Sequence, residues 1–159
     1  AESGTAPFEP VDLTAVVEDV EELYKPLAEE KGLDFGTRIE PGLQLPGNRQ
    51  LLAQAVANLI DNAIKFTPDG GRVRLAATGT ADAILLEVTD TGPGIAPVDR
   101  ERAVERSRRL ANASGKPGSG LGLSLVNAVA RLHGGRFELG DNAPGLIARL
   151  RFARDAGGA

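Results

Sequence analysis

The stretch Leu51–Pro68, LLAQAVANLIDNAIKFTP, carries polar and apolar residues at helical spacing. At about 100° per residue, the steps from Asn58 to Asn62, from Asn62 to Lys65 and from Asn62 to Phe66 set these four residues on one side of a helix. A separate apolar stripe, Leu52, Val56, Leu59 and Ala63, runs beside them and is expected to face a core. Two carboxamides and an ammonium in register along a buried helix are costly unless something polar fills the space they face. A carboxamide oxygen is a hard ligand suited to Mg²⁺, and Lys is a common partner for phosphate. The helix therefore reads as one wall of a nucleotide site. An ordinary amphipathic helix with solvated Asn is the plainer alternative, and this stretch alone leaves it open.

Working outward, Gly47-Asn48 leads into the helix, with Asn48 as its cap. Upstream, 8–11 reads as a short extended segment, and Asp12 or Thr14 caps a helix from Leu13 to about Lys31. Its expected inward positions are Val16, Val20, Leu23 and Leu27, and Pro26 inside the pattern predicts a kink. Gly32 ends it. Leu33 to Ile39 alternates as a half-buried strand, Pro41-Gly42 turns, and Leu43–Pro46 forms a short edge strand. Downstream, the break at Pro68-Asp69-Gly70-Gly71 precedes a hairpin of Arg72–Thr78 and Ala83–Thr89. From Ile95 to Gly118 the chain turns polar and charged, with room for a short helix over Arg100–Leu110. Loops of this length inside a compact domain are usually functional. A third long helix follows at about Leu121–Leu132, with Leu125, Val129 and Leu132 inward. His133-Gly134-Gly135 ends it before a last hairpin of Arg136–Leu139 and Leu146–Phe152. The expected class is α+β: three long helices on one face of a mixed, mostly antiparallel sheet, a two-layer sandwich.

The 159 residues suit one domain, expected over 8–153, with 1–7 a disordered remnant and 154–159 a frayed tail. The first residue is not Met, which suggests a processed or excised piece. No apolar run spans a membrane and no signal-peptide pattern opens the chain, so membrane contact by this domain is not expected. The absence of Cys excludes disulfide and thiol chemistry and suits a reducing cytosol. A lone histidine, His133, cannot build a two-histidine metal site. A formal charge of −4, with both signs mixed throughout, argues against nucleic acid as a partner.

Two more segments carry chemistry. In Asp90-x-Gly92-x-Gly94, a carboxylate at the end of a buried strand accepts hydrogen bonds, and the glycines let a ring approach the backbone. Adenine offers a matching donor in its exocyclic amine; a glycine-proline turn that merely closes a hairpin is the other reading. In Gly118-x-Gly120-x-Gly122, the glycines open a helix whose free amides and positive dipole end favour phosphate. The position late in the chain disfavours a dinucleotide-binding fold, and no Lys-Ser or Lys-Thr follows the last Gly, which excludes a Walker motif.

Taken in order, Asn-x₃-Asn-x₂-Lys-Phe, Asp-x-Gly-x-Gly, a long lid over 95–118 and Gly-x-Gly-Leu-Gly resemble the catalytic, ATP-binding domain of bacterial sensor histidine kinases. These belong to the Bergerat-fold superfamily shared with gyrase, mismatch-repair and heat-shock ATPases. Asn58–Thr67 resembles the asparagine box, Asp90–Gly94 the first glycine box, and Gly118–Gly122 with His133-Gly134-Gly135 the second; the likeness covers about Phe8 to Phe152. It implies ATP and Mg²⁺ as cofactors, with Asn62 on the metal. It also implies that Asn58 and Lys65 contact the phosphates or their metal as catalytic residues, that Phe66 lies at the adenine, and that Asp90 accepts the adenine amine. Gly92 and Gly94 admit the base, and Gly120, Leu121 and Gly122 give amides to the phosphates. Ile95, Lys116, Gly118 and Ser119 complete the expected contacts.

The hydrolytic relatives carry a Glu four positions before the metal Asn, where it activates water. Here that position is Asn58, and a carboxamide takes no proton at neutral pH. The resemblance thus implies phosphoryl transfer to a His on a separate dimerisation and phosphoacceptor domain, and indirectly a response regulator as partner. The domain is expected to be cytoplasmic, whether or not its parent is membrane-anchored. Two alternatives are a nucleotide-binding regulatory module with weak or lost kinase activity and a serine kinase of the anti-sigma type. The family's lid usually resembles Phe-Glu-Arg-Phe, whereas this chain has Val104-Glu105-Arg106-Ser107. Each lost Phe removes about 1.5–3 kcal/mol of burial, so a mobile lid, ordered only with nucleotide or partner, is expected. Lys116, Arg106, Arg108 and Arg109 are its candidate cations for the γ-phosphate. His133 is expected to cap a helix end rather than accept phosphate.

Overall fold

The computed structural model describes residues 8–105 and 121–154. The chain opens with β1 (Glu9–Asp12) and α1 (Leu13–Glu30). Of the two caps open at the sequence level, Asp12 is the one used: its carboxylate accepts from the Ala15 amide at 3.1 Å. Thr14 instead ties helix to loop, its hydroxyl donating to the Glu40 carbonyl and accepting from the Leu43 amide. The helix continues through Pro26, which is exposed, so the carbonyl left without its helical donor lies toward water.

Two expected core positions of α1 are surface positions: Leu23 is 70% and Leu27 49% exposed. The buried positions, Leu13, Val16, Val17 and Val20, cluster in the first half of the helix, with only Ala28 buried beyond them, so Leu23 and Leu27 share the inward phase but sit where the helix packs less closely on the core. β2 (Asp34–Ile39), β3 (Gln44–Gly47), α2 (Arg49–Phe66), β4 (Arg72–Gly79) and β5 (Ala83–Asp90) follow in order. Then come α3 (Pro97–Glu105), α4 (Leu121–Leu132), β6 (Arg136–Asp141) and β7 (Leu146–Ala153). The short helix anticipated over Arg100–Leu110 begins earlier, at Pro97, a residue suited to a first helical turn, and its expected part beyond Glu105 lies outside the described residues.

The main sheet has the order β2-β4-β5-β7-β6, parallel between β2 and β4 and antiparallel elsewhere. β1 and β3 form a separate antiparallel pair. Alternation sets Val73, Leu75 and Ala77 of β4, Ile84, Leu86 and Val88 of β5, and Ala148, Leu150 and Phe152 of β7 into one core with α1, α2 and α4. α4 contributes Leu123, Val126, Val129 and Ala130. Leu125 is half-buried, and Leu132, an expected core residue, is 52% exposed because both lie on the flank of that stripe. This two-layer α+β arrangement points the start of α4, the outer face of α2 and the end of β5 toward one region.

Candidate functional site

α2 is fixed at both ends. Its cap is Asn48, whose side-chain oxygen accepts from the Leu51 amide at 3.0 Å. The Asn48 amide itself donates to His133 Nε2 at 3.0 Å, so the neutral ring carries its proton on Nδ1 and donates it to the Val129 carbonyl, 2.8 Å away. Phe8 stacks on that imidazole with ring centroids 4.8 Å apart. His133 thus caps the end of α4 while bridging to the start of α2, and both of its nitrogens are engaged. At the other end, Lys31 donates to the carbonyls of Ile64 and Lys65 at 2.7 and 3.0 Å. A cation at a helix C-terminus also meets the negative end of the dipole.

The apolar stripe of α2, Leu52, Val56, Leu59 and Ala63, is buried, while Asn58 and Asn62 are half-buried. The first turn of α4 lies against these two: a Cβ built on Gly122 would sit 3.2 Å from Asn62 Nδ2 and 3.5 Å from Asn58 Cβ. Neither carboxamide receives or donates a hydrogen bond among the described residues. Lys65 pairs with Asp61 one turn back at 3.0 Å, both partly exposed, so this ammonium is turned toward a carboxylate on its own helix. Phe66 is 44% exposed, and its carbonyl lies against Gly92, where a Cβ would come within 2.7 Å of the oxygen.

Asp90 ends β5 and is 6% exposed. Its Oδ1 accepts from the Gly92 amide at 2.8 Å and the Leu146 amide at 3.3 Å. Oδ2 has no partner among the described residues. Burial pushes the carboxyl above its ordinary value, and the two amide bonds oppose that shift. Gly94, at φ +73°, packs on the Gly145 carbonyl. Ile95 is partly buried against the core, and its carbonyl accepts from Arg100 Nε at 3.0 Å.

Asn58, Asn62, Phe66, Asp90, Gly92 and Gly122 are thereby brought into one neighbourhood by α2, the end of β5 and the start of α4. Lys116, Gly118, Ser119, Gly120 and the lid cations Arg106, Arg108 and Arg109 lie outside the described residues, as does the lid beyond Glu105; Leu121 is placed only as the first residue of α4. Sequence reasoning missed Lys31, Asn142 and Gly145. Asn142 donates to the Asp90 carbonyl at 2.7 Å, and a Cβ on Gly145 would overlap that same oxygen. Neither has a local signal, because the partner is 52 residues away for Asn142. Among the described residues no cluster of three His, Cys, Asp or Glu side chains is placed to hold a metal, so a cation here would rely on carboxamide oxygen and on its ligand's own oxygens.

Residues 47–155 match the family of histidine kinase-, DNA gyrase B- and HSP90-like ATPases. The chain belongs to this family. The signal transduction histidine-protein kinase/phosphatase MprB of Mycolicibacterium vanbaalenii is 38% identical over 146 residues, covering 91% of this chain and 29% of that protein. The chain thus spans under a third of the length of the curated relatives it matches. The solved structure of a mycobacterial sensor histidine kinase MprB is 35% identical, with TM-score 0.77, and covers 92% of this chain and 97% of that one. Full-length ShkA, solved in complex with AMPPNP, is 30% identical with TM-score 0.78, covering 96% of this chain and 32% of that one. The fold is that of the histidine kinase catalytic domains of this ATPase family.

Proposed function

We propose that this domain binds ATP with Mg²⁺ and transfers the γ-phosphoryl group to a histidine on a separate dimerisation and phosphoacceptor domain. The observation that carries the reading is the pair of half-buried carboxamides, Asn58 and Asn62, unsatisfied among the described residues and facing the first turn of α4. Half-buried carboxamides with no protein partner among the described residues leave oxygen and NH₂ groups open to a polar ligand. The kinase names of the relatives and the AMPPNP bound to ShkA support the same choice.

At the base end, Asp90 Oδ2, without a partner among the described residues, is the acceptor for the adenine amine, while Oδ1 is held by two backbone amides. Phe66, Gly92, Gly94 and Ile95 border this end. At the phosphate end, Asn62 offers its oxygen to Mg²⁺, which when bound offsets charge on the triphosphate. Asn58 and the backbone amides of Gly120, Leu121 and Gly122 contact the phosphates. Lys65 must leave Asp61 to join them, and that exposed ion pair is weak enough to exchange, at about 0.3–0.5 kcal/mol. Lys116, Arg106, Arg108 and Arg109 are the candidate lid cations for the γ-phosphate at this end.

Transfer needs little covalent chemistry from the protein, which positions the reactants and neutralises charge. An imidazole nitrogen of the acceptor attacks the γ-phosphorus, the bond to the β-phosphate oxygen breaks, ADP leaves and the imidazole proton passes to solvent. Asn58, standing where the hydrolytic relatives hold a Glu, cannot take a proton from water, so ATP hydrolysis is slow. His133 is a structural residue in this reading and not the acceptor: its Nε2 accepts from the Asn48 amide at the start of α2 and its Nδ1 donates to the Val129 carbonyl within α4. In the parent protein this domain works in the cytoplasm, and a response regulator receives the phosphoryl group from the acceptor.

The test is to mix the domain with the parent's acceptor module and ATP. Acid-labile phosphate on the acceptor histidine is expected. Acid-stable phosphoserine on a partner protein, or no transfer at all, would contradict the proposal.

A further inference from the structure

The turn between β6 and β7 touches both ends of the Asp90–Gly94 segment. The carbonyl of Asp90 lies past the last β5–β7 pair, Thr89 with Ile147, so no partner strand donates to it across that edge. Asn142 fills the place, its Nδ2 donating to that carbonyl at 2.7 Å. The turn holds its own shape: the Asn142 amide donates to the Gly145 carbonyl at 3.0 Å, and Asp141 accepts from the Ala143 amide at 3.1 Å. Gly145 packs so closely that a Cβ would overlap the Asp90 carbonyl, and its own carbonyl abuts Gly94. One residue further on, the Leu146 amide reaches the Asp90 carboxylate. The backbone and the side chain of Asp90 are thus both held from the same turn.

We propose that Asn142 is a positioning residue for adenine recognition, acting through Asp90; the inference rests on the reading of Asp90 as the acceptor of the adenine amine. A carboxamide that anchors the Asp90 carbonyl fixes the peptide from which the carboxylate projects, and so fixes where Oδ2 points. With the anchor removed, Oδ1 keeps its two amides but the peptide can rotate, and the free oxygen drifts from the line of the amine. The loss then falls on the base and not on the phosphates, which α2 and α4 hold from the other side.

The measurement is the dissociation constant of ATP and of purine riboside triphosphate, which lacks only the 6-amine. It is made on the wild-type chain, Asn142→Ala and Asn142→Asp, with a thermal melt of each sample. Aspartate keeps the size of the side chain but cannot donate, so it should behave as alanine does. The wild type should prefer ATP about tenfold or more, and each variant should lose about fivefold in ATP affinity while holding the analogue as before. Equal losses for both nucleotides, no loss, or failure of both variants to fold would overturn the role of Asn142 and leave the adenine reading standing. A wild type that binds both nucleotides alike would remove the reading of Asp90 itself, and the proposal with it.

Discussion

Asp90 and Asn62 are both short polar side chains held by regular secondary structure, yet their surroundings are opposite. Asp90 is 6% exposed, takes two backbone amides on one oxygen and is braced through its own carbonyl by Asn142. Asn62 is half-buried, lies against Gly122 and makes no hydrogen bond to any described residue. In the proposed site, one end is therefore built before ligand arrives, and the other would be completed by it. Preorganisation suits a base that must be distinguished by a single amine, because a fixed acceptor rejects what does not match. Open carboxamides suit a charged, hydrated group, whose metal and oxygens supply the missing partners.

The largest effect is expected where the built end has no slack. Gly145→Ala forces a methyl group into the Asp90 carbonyl at a residue whose φ is +112°, a conformation that L side chains rarely adopt. It should cost about 3 kcal/mol or more, a fall of roughly 10 °C in melting temperature. A melt within a degree or two of wild type would show that the turn yields and the base end is not rigid.

Asp90→Asn divides stability from binding. Burial raises the folded carboxyl above its unfolded value, so in the window above the ordinary carboxylate range the native state binds more proton than the unfolded one. Stability contributed by this group therefore falls as pH rises through that window. The amide variant should be at least as stable as wild type at pH 7, with the difference closing as pH falls to the carboxylate range. Its oxygen can keep the Gly92 and Leu146 amides, but its NH₂ then faces the adenine amine, donor against donor, and ATP affinity should drop about 10- to 100-fold. Urea titrations at two pH values and calorimetry check the two halves. A variant less stable at neutral pH would contradict the account of burial.

The phosphate end should respond in the reverse sense. Gly122→Ala improves helix propensity by about 0.5–1 kcal/mol, while its Cβ presses on Asn62. Stability should hold or rise slightly, and ATP affinity should fall about tenfold. A variant with unchanged affinity would separate the start of α4 from the site.

Much of this contrast was legible in the sequence wherever the signal was local. The cap at Asn48, the stripe from Leu52 to Ala63 and the paired strands of both hairpins follow from short-range spacing, and each forms as expected. Helical spacing sets Leu23 and Leu27 inward on α1, and Leu132 on α4, yet all three are exposed: they sit toward the C-terminal ends of their helices, and spacing carries no information on how far along a helix the core reaches. The one-sided grouping of Asn58, Asn62, Lys65 and Phe66 is correct for the helix, but Lys65 takes Asp61 as its partner, a choice that side-chain length allows and spacing does not forbid. Lys31, Asn142 and Gly145 act on partners 33 or more residues away, and no neighbour in sequence announces them. The lid and most of the second glycine cluster, 106–120, lie outside the described residues, so their expected roles stand as proposals.

Asn62 is proposed to complete its coordination with a metal carried by the nucleotide. ATP titrations of wild type and Asn62→Ala, each with and without Mg²⁺, test it most directly. Mg²⁺ should tighten binding to the wild type, and this gain should disappear in the variant, while metal-free affinity stays close to that of the wild type. The same Mg²⁺-dependent gain in both proteins would contradict it.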